Sequence, residues 1–224
     1  MFNILYFKKV TSTMDVLNDY PANTLIVADE QTKGRGKADR TWVSQDKKNL
    51  YFSFKIEVEG NYVFNYVFIV GIVILETLEY FFKDIKLKLK WPNDLLLNEK
   101  KVAGILLERD LTKNLLVIGI GLNINSYPVN TLFKATSLKD EGYIIDKKIF
   151  VNKFIDVFGK YNLNNFKIVR EKWLSYAYNF KKEIEVKTNN LSIKGIFEDL
   201  DNDGSLILKK DDNECIKIFS GDIF

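Results

Sequence analysis

The feature that most limits the fold is a long apolar segment, residues 63–82, in the first half of the chain. Its centre, Phe-Ile-Val-Gly-Ile-Val-Ile-Leu, has no polar residue, and a helix that is apolar all round must be buried on most sides. Because charged and polar residues interrupt and border it, we interpret the segment as too short and too charged to span a bilayer. It therefore predicts a core helix. Asn65, Glu76 and Glu79 lie within the segment, and Lys83 directly follows it.

Alternating strand and helix patterns surround this helix as far as about residue 180, and they predict a domain of mixed α and β structure, of the α+β class. From Lys182 onward the pattern contains only short strands, which is typical of a small β-barrel or a sandwich. We therefore predict a first domain at 1–180 and a second at 181–224. The predicted strands of the first domain are 2–7, 24–29, 49–57, 86–91, 95–97, 102–108 and 115–124, and its predicted helices are 11–20, 61–82, 146–161 and 166–178.

The charges divide between the same two parts of the chain. Residues 181–224 hold seven Lys or Arg and ten Asp or Glu, a net charge of −3, whereas the whole chain carries +3. The first part therefore carries +6 and is the one suited to an anionic ligand. A total of +3 is too weak to indicate nucleic-acid binding by itself.

Two residue counts exclude whole classes of chemistry. The chain has no histidine, which excludes Ser-His-Asp and Cys-His catalysis and histidine-ligated metals. Cys215 is the single cysteine, so there is neither an internal disulfide nor a cysteine-rich zinc site, and its alternating strand context predicts an inert core residue. Catalysis must then rest on Lys, Arg, carboxylates, amides, hydroxyls or backbone groups, with Mg²⁺ if a metal takes part.

The most informative stretch is the polar loop 31–40, Gln-Thr-Lys-Gly-Arg-Gly-Lys-Ala-Asp-Arg. It contains two of the four arginines in a chain with 29 lysines, Arg35 and Arg40, which indicates a need for the guanidinium fork that binds phosphate or carboxylate. Gly34 and Gly36 would allow the backbone to approach a ligand. A solvated basic loop with turn glycines would have the same composition. Since its cations repel one another, we expect the loop to stay open until an anion binds.

Two further stretches could carry chemistry. Lys-Trp-Pro-Asn-Asp at 90–94 ends in an Asn-Asp pair that could hold Mg²⁺ or a ribose, although a plain turn explains it as well. It is followed by Lys101 and Gly104, and this lysine could reach over a ligand or simply lie on the surface. Gly-Ile-Gly-Leu-Asn-Ile-Asn at 119–125 indicates close packing, ligand approach or a β-bulge.

The order of these motifs closely resembles the biotin protein ligases over nearly the whole chain. The carrying residues are Ser12-Thr13 before a helix, the Gly34-Arg35-Gly36 loop with Trp42 behind it, and the KWPND, KVAGILLE and GIGLN blocks. The resemblance implies the mixed-sheet catalytic domain of the biotin/lipoate ligases followed by an SH3-like barrel. It implies that biotin and ATP form biotinyl-5'-AMP, and that a carrier lysine then takes the biotinyl group.

The resemblance also assigns roles to residues. It implies that Lys101, Arg35 and Arg40 are catalytic, with Lys101 between the biotin carboxylate and the α-phosphate, and that Mg²⁺ lies near Asp94. The biotin-binding residues it implies are Ser12, Thr13, Met14, Gln31, Gly34, Arg35, Gly36, Lys37, Lys101 and Gly104. The ATP-binding residues it implies are Arg40, Trp42, Asn49, Asn93, Asp94 and Asn123.

The resemblance extends to partners and location. It implies that the acceptor is the biotin carboxyl carrier domain of acetyl-CoA carboxylase or a similar carboxylase. A monomer or homodimer in the cytoplasm is expected. Some family members begin with a DNA-binding domain, and the direct start at catalytic motifs implies a ligase without that function. A membrane partner is not expected either. Lys37 and Asp39 replace the Arg and Gly that are usual in the loop, which bears on how tightly the loop closes.

Two rival functions remain open from the residues. A lipoate or octanoate protein ligase would share the fold but would lack a polar pocket for the ureido ring. A non-catalytic nucleotide- or RNA-binding protein would use the barrel for binding, and the net negative charge of the barrel argues against it.

Overall fold

The apolar segment forms a buried helix that packs against a seven-stranded sheet. In the computed structural model it comprises a 3₁₀ turn, Val63–Asn65, and helix α2, Tyr66–Phe81. The structure describes residues 2–37, 40–44, 48–60, 63–110, 112–129, 133–161, 166–188 and 191–224. The predicted start of this helix at Asn61 lies outside these ranges.

The described residues contain one helical stretch, Val63–Phe81, that is long and apolar enough to cross a membrane by length and composition. The argument that the segment is too short and too charged to do so is therefore wrong. Burial supports the core-helix interpretation instead, because 67% of its most apolar part is covered by the rest of the chain. Phe68, for example, packs edge-on against Trp173 of a later helix.

The main sheet has the order β1-β2-β3-β7-β6-β5-β4, with β1 and β2 parallel and the other neighbours antiparallel. This confirms the predicted mixed sheet. Strand β1 runs to residue 10 and β2 to residue 31, farther than predicted. The strands are β1 Asn3–Val10, β2 Thr24–Gln31, β3 Leu50–Glu57, β4 Leu87–Lys90, β5 Asp94–Leu97, β6 Lys100–Asp110 and β7 Leu115–Leu122.

Side-chain alternation gives the sheet two different faces. Phe52 and Phe54 of β3 point to one face, where they meet the ring of Phe154 from a covering helix. Ser53, between them, pairs with Gly119 of β7 on the other face. Gly104 of β6 pairs with Gly121 on that same face, so four small residues lie together there. This face is left open for a site, because the large apolar residues are directed to the other one.

Four helices accompany the sheet. The first is shorter than predicted, because α1 ends at Val16 and a 3₁₀ turn, Leu17–Asp19, replaces its last turn. Ser12 caps α1 by accepting a hydrogen bond from the Met14 amide. The third and fourth helices end earlier than predicted, at Phe158 and Ser175. The helices are α1 Thr13–Val16, α2 Tyr66–Phe81, α3 Lys147–Phe158 and α4 Phe166–Ser175.

The last part of the chain forms an antiparallel five-stranded sheet with the order β11-β10-β9-β8-β12. Strand β12, Asp222–Ile223, was not predicted; it pairs with β8. The side chain of Cys215 is exposed, so its prediction as a core residue is wrong: it lies on the edge strand β11. The sequence favours a turn at Asn189-Asn190, and these two residues lie outside the described ranges. The strands are β8 Glu183–Lys187, β9 Ser192–Leu200, β10 Leu206–Lys209, β11 Cys215–Ile218 and β12 Asp222–Ile223.

The two sheets share one apolar core. Phe197 of β9 is fully buried and contacts the rings of Trp173 and Phe180. Polar contacts join the same parts: the indole N–H of Trp91 donates to the Gly204 carbonyl at 3.1 Å. The last part of the chain is thereby held against the main sheet, next to the turn of the KWPND motif at residues 90–94.

Candidate active site

A cavity of about 400 Å³ lies on the glycine-bearing face of the main sheet. The fold brings residues that are distant in the chain to this cavity, because the adjacent strands β3, β7 and β6 form the cavity floor. Fourteen of the sixteen sequence-predicted site residues line it. They are Ser12, Thr13, Met14, Gln31, Arg35, Gly36, Lys37, Arg40, Trp42, Asn93, Asp94, Lys101, Gly104 and Asn123.

One end of the cavity carries a hydrogen-bonded polar group. The side-chain oxygen of Gln31 accepts from the Thr13 amide at 2.8 Å and lies 3.0 Å from the Thr13 hydroxyl. That hydroxyl lies 2.7 Å from the hydroxyl of Ser53 on β3. Ser12, Thr13 and Ser53 are all buried, so this end can hydrogen-bond a polar ligand group within an otherwise apolar pocket.

The middle of the cavity is shaped by glycines and one indole. A Cβ added at Gly104 would lie 2.7 Å from Cζ3 of Trp42, and one at Gly121 would collide with the same ring. The absent side chains therefore let Trp42 lie over the sheet. Among the described residues, the buried N–H of this indole has no hydrogen-bond partner, so it is available to a ligand.

At the other end, Lys101 and Asp94 form an ion pair with a distance of 2.6 Å. The side chains retain 25% and 12% of their exposure, so both remain within reach of a ligand. The ammonium group also lies 5.4 Å from the ring centre of Trp42. Asn93 donates from its amide to the Ile105 carbonyl at 2.7 Å, which fixes the turn that carries Asp94.

The basic loop 31–40 and the two residues after it, Thr41 and Trp42, fold over the cavity, as far as residues 32–37 and 40–42 show. Trp42 donates its amide to the Gly34 carbonyl, and Gly36 donates to the Arg40 carbonyl at 2.6 Å. This differs from the expected open loop. Carboxylates outside the loop offset the repulsion among its cations: Arg35 contacts Asp15 and Glu108, each at 2.9 Å. The Asp39 substitution lies outside the described residues.

Two further cations of this loop contact Gly221 and Asp222, at the start of strand β12. Lys37 donates to the Gly221 carbonyl at 2.7 Å, and Arg40 contacts the two carboxylate oxygens of Asp222 at 3.1 and 3.2 Å. Burial lowers the pKa of Lys37 below its usual value, and repulsion from Arg40 and Lys101 acts in the same direction. The second sheet thus takes part in covering the cavity.

The buried Lys90 lies beside these cations. The Nζ atom of Lys90 lies 4.1 Å from the ring centre of Phe133 and 6.0 Å from that of Phe224. Burial lowers its pKa, and repulsion from Lys101 adds to the effect. With Lys37, Arg40 and Lys101 it gives this end of the cavity a positive character suited to phosphate groups.

Two predicted residues do not line the cavity. Gly34 supports the loop instead, since a Cβ there would lie 2.5 Å from the Trp42 carbonyl oxygen. The side-chain oxygen of Asn49 accepts from the amides of Ile124, Asn125 and Ser126. In this structure it orders the chain after β7 and does not reach the cavity.

Several residues at the cavity were not predicted from the sequence. Ser53 could have been found, because it is a lone polar residue in the apolar strand Leu-Tyr-Phe-Ser-Phe. Asp222 and Phe133 carry no comparable local signal, since only the fold brings them to the site. The missed lining residues are Thr41, Val43, Ser53, Ile105, Pro128, Phe133 and Ala135. Gly119, Ile120 and Gly121, which also line the cavity, belong to the block 119–125 for which ligand approach was one of the predicted alternatives.

The donor set for a metal is sparse. In the described part of the chain no three Asp, Glu, Cys or His residues cluster as metal ligands. Asp94 supplies one carboxylate at the cavity, and it is paired with Lys101. Such a site fits Mg²⁺ held mainly by substrate phosphates and water, as Mg²⁺ often is, and it does not fit a metal bound by protein alone.

Comparison with known proteins agrees with this geometry. Residues 5–125 match the model of the biotin/lipoate A/B protein ligase family, and residues 182–224 match the biotin protein ligase C-terminal domain. The bifunctional ligase/repressor BirA of Bacillus subtilis is 30% identical over 99% of this chain and 73% of that protein. The chain belongs to the biotin protein ligase family.

Solved structures of biotin protein ligases have the same fold. The ligase from Aquifex aeolicus in complex with biotin and ATP superposes with a TM-score of 0.84, at 30% identity, over 99% of this chain and 97% of that one. The biotin–[acetyl-CoA-carboxylase] ligase of Paracoccus denitrificans is 28% identical over 82% of this chain and 83% of its own length. The fold of this ligase is therefore the mixed-sheet domain with the family's C-terminal domain.

Proposed function

We propose that this biotin protein ligase activates biotin with ATP as biotinyl-5'-AMP and transfers it to a lysine of a biotin carboxyl carrier domain. One observation carries the proposal: a single cavity has a neutral hydrogen-bonding end at Thr13 and Gln31 and a cationic end at Lys101. These two ends match a ligand that has a polar ring, an apolar body and a carboxylate. The further cations at the Lys101 end match a polyphosphate.

In the first step the biotin carboxylate attacks the α-phosphate, the bond to the bridging oxygen breaks, and pyrophosphate leaves. The barrier comes largely from bringing two anions together. Lys101 lies at the cationic end, where its ammonium group would stabilise both anions and the charge that develops between them. Its contact with Asp94 fixes the position of the ammonium before the substrates arrive. Arg40 and Lys37 lie on the loop that covers the cavity, and they would contact the phosphates from the side opposite the sheet.

Mg²⁺ is part of the proposal as a companion of ATP. When bound, it would neutralise phosphate charge, and Asp94 is the carboxylate of the cavity that could contact it or its water shell. The residues of the chain retain their own tasks: the loop excludes water, and Trp42 walls the reacting end.

In the second step an uncharged lysine amine of the carrier attacks the acyl carbon of the mixed anhydride. The acyl–oxygen bond breaks, AMP leaves, and the amine loses its proton. We propose that the carrier belongs to acetyl-CoA carboxylase or a similar carboxylase. The closed loop supports this order of events, because shielding the anhydride from water and stray amines leaves the adenylate for the docked carrier lysine.

The test combines the ligase with ATP, Mg²⁺ and biotin, with and without a purified biotin carboxyl carrier domain. We expect pyrophosphate release and biotinyl-5'-AMP without the carrier, and one biotinylated lysine by mass spectrometry with it. Exchange of pyrophosphate into ATP that depends on lipoate or octanoate, and not on biotin, would instead support the rival ligase. Salt-sensitive RNA binding with no pyrophosphate release would support the non-catalytic rival.

Four earlier expectations stay predictions: the division at residue 180, the monomeric or dimeric state, the cytoplasmic location and the individual roles of the site residues. Gel filtration with light scattering tests the oligomeric state, and variants of the lining residues test the roles.

A further inference from the structure

The polar end of the cavity has a fixed order of hydrogen-bond donors and acceptors, and it starts from Ser53. The backbone N–H of Thr13 can only donate, so the Gln31 atom 2.8 Å away must be its carbonyl oxygen Oε1. That assignment also fixes the other contact of Oε1. The hydroxyl of Thr13, 3.0 Å away, must donate to it, because a carbonyl oxygen has no proton to give.

The direction of the next hydrogen bond follows. The hydroxyls of Thr13 and Ser53 lie 2.7 Å apart, and the single proton of Thr13 is already directed at Gln31. Ser53 must therefore be the donor to Thr13. The protons run from Ser53 to Thr13 to Gln31, and this order leaves the lone pairs of Ser53 uncommitted. Thr13 and Ser53 are buried, so an unmatched donor or acceptor on either hydroxyl would be costly.

The free groups that remain have a defined pattern. Ser53 keeps two lone pairs and Thr13 keeps one, so both act as acceptors toward the cavity that they line. The amide nitrogen Nε2 of Gln31 is a donor on the side of Gly34, where an added Cβ would lie 3.1 Å from it. A cyclic urea has two N–H donors beside one carbonyl acceptor, which is the complement of this pattern.

We infer that Ser53 is a positioning residue that selects acids with a cyclic urea, by holding the Thr13 hydroxyl toward Gln31 and keeping acceptors toward the ligand. The inference rests on the proposed function, because it concerns the acid pocket of the same site. A straight acyl chain or a dithiolane ring has no N–H, so it would leave these acceptors buried and unpaired, and a site built on hydrogen bonds rejects such analogues strongly.

Backbone surroundings explain why serine fits at this position. Ser53 pairs with Gly119 across the sheet, and a Cβ on Gly119 would lie 3.4 Å from its hydroxyl and 2.5 Å from the sulfur of Met14. A larger residue at either position would fill the polar end. The small pair keeps a hydroxyl at the floor while leaving space above it.

The test measures ATP–pyrophosphate exchange for the intact wild-type chain, Ser53→Ala and Ser53→Cys. Loss of the donor frees the Thr13 hydroxyl to rotate. We expect the KM for biotin and for desthiobiotin, which keeps the cyclic urea, to rise about tenfold in Ser53→Ala. Since the lost interaction is made equally before and during reaction, kcat and the KM for ATP should stay within about twofold. Ser53→Cys, with a weak donor of similar size, should lie between the two.

Thr77→Val is the matched control, because it removes a buried hydroxyl that donates to Val73 within α2, away from the cavity. It should change thermal stability without changing the KM for biotin. Equal shifts in the KM for biotin and ATP, or a Ser53→Ala variant with unchanged KM, would overturn the inference while leaving the proposed function intact. A wild-type chain with no biotin-dependent exchange would contradict both.

Discussion

Arg40, on the loop over the cavity, forms a two-pronged ion pair with Asp222, the third residue from the end of the chain, at 3.1 and 3.2 Å. The pair joins the proposed phosphate-binding loop to the strand that closes the second sheet. Both side chains are about one-third exposed, 40% for Arg40 and 31% for Asp222, so the pair is a modest restraint. The pair can hold the loop closed, and it can open so that the guanidinium group of Arg40 binds a phosphate.

The first prediction concerns this restraint. Asp222→Asn should release Arg40 and loosen the closed loop, so biotinyl-5'-AMP should dissociate about two- to fivefold faster, in line with the small worth of exposed pairs. Dissociation of labelled adenylate measures the effect. Asp211→Asn makes the same charge change at an exposed residue between strands β10 and β11 of the second sheet, and it serves as the control. Equal rates in the two variants would contradict a role for the pair in retention.

Lys101→Ala should nearly abolish adenylation while biotin still binds. Removing one well-placed charge-stabilising group costs roughly 3–4 kcal/mol, or about a hundred- to a thousandfold in rate. Pyrophosphate exchange measures the rate, and calorimetry measures biotin binding. Lys88→Ala removes an exposed lysine on the neighbouring strand β4 as a control. A Lys101→Ala variant that exchanged at close to the wild-type rate would refute the central role given to this ammonium group.

Gly104→Val should weaken substrate binding more than folding. The new Cβ would lie 2.7 Å from the Trp42 ring, so the indole must move into the space of the ligand. Overpacking of this kind costs about 1–3 kcal/mol, which predicts a loss of biotin affinity of roughly tenfold. Gly159→Ala is a suitable control, because an added Cβ there meets nothing closer than 3.6 Å. Wild-type affinity in a folded Gly104→Val protein would mean that this glycine serves packing alone.

Lys37→Gly should increase the escape of the adenylate. The variant loses the hydrogen bond to Gly221 and gains backbone freedom that must be lost when the loop closes. We expect more biotin on an unrelated lysine-rich protein, measured by streptavidin blot, with little change in thermal stability. Lys33→Gly alters an exposed lysine of the same loop and controls for the added glycine. If both variants label equally, Lys37 has no particular part in closure.

The two sheets should unfold together, because they share one core. Phe197→Ala removes a fully buried ring from between Trp173 and Phe180, and such losses cost about 3–5 kcal/mol. Calorimetry should show one transition, shifted to lower temperature. Ile196→Ala, at the 40% exposed neighbour, should shift it far less. Two separate transitions would instead support two independent domains divided near residue 180.

The sequence by itself determined the kinds of elements and most of the residues at the cavity. Alternation directs Phe52 and Phe54 to one face and Ser53 to the other, and this local property of a strand is visible without the fold. The absence of histidine limited catalysis to charges and amides. The resemblance of the motifs then added roles that composition could not supply.

Only the tertiary structure decided which distant groups meet. The ion pairs of Arg35 with Asp15 and Glu108, and of Arg40 with Asp222, close the loop that its own repulsion was expected to open. For α2, burial in the fold supports a core helix, whereas length and apolarity alone would allow a membrane span. Asn49 had the right type for a ligand contact but orders backbone amides after β7. Charge compensation, burial and hydrogen-bond direction depend on neighbours in space, and a local pattern does not contain them.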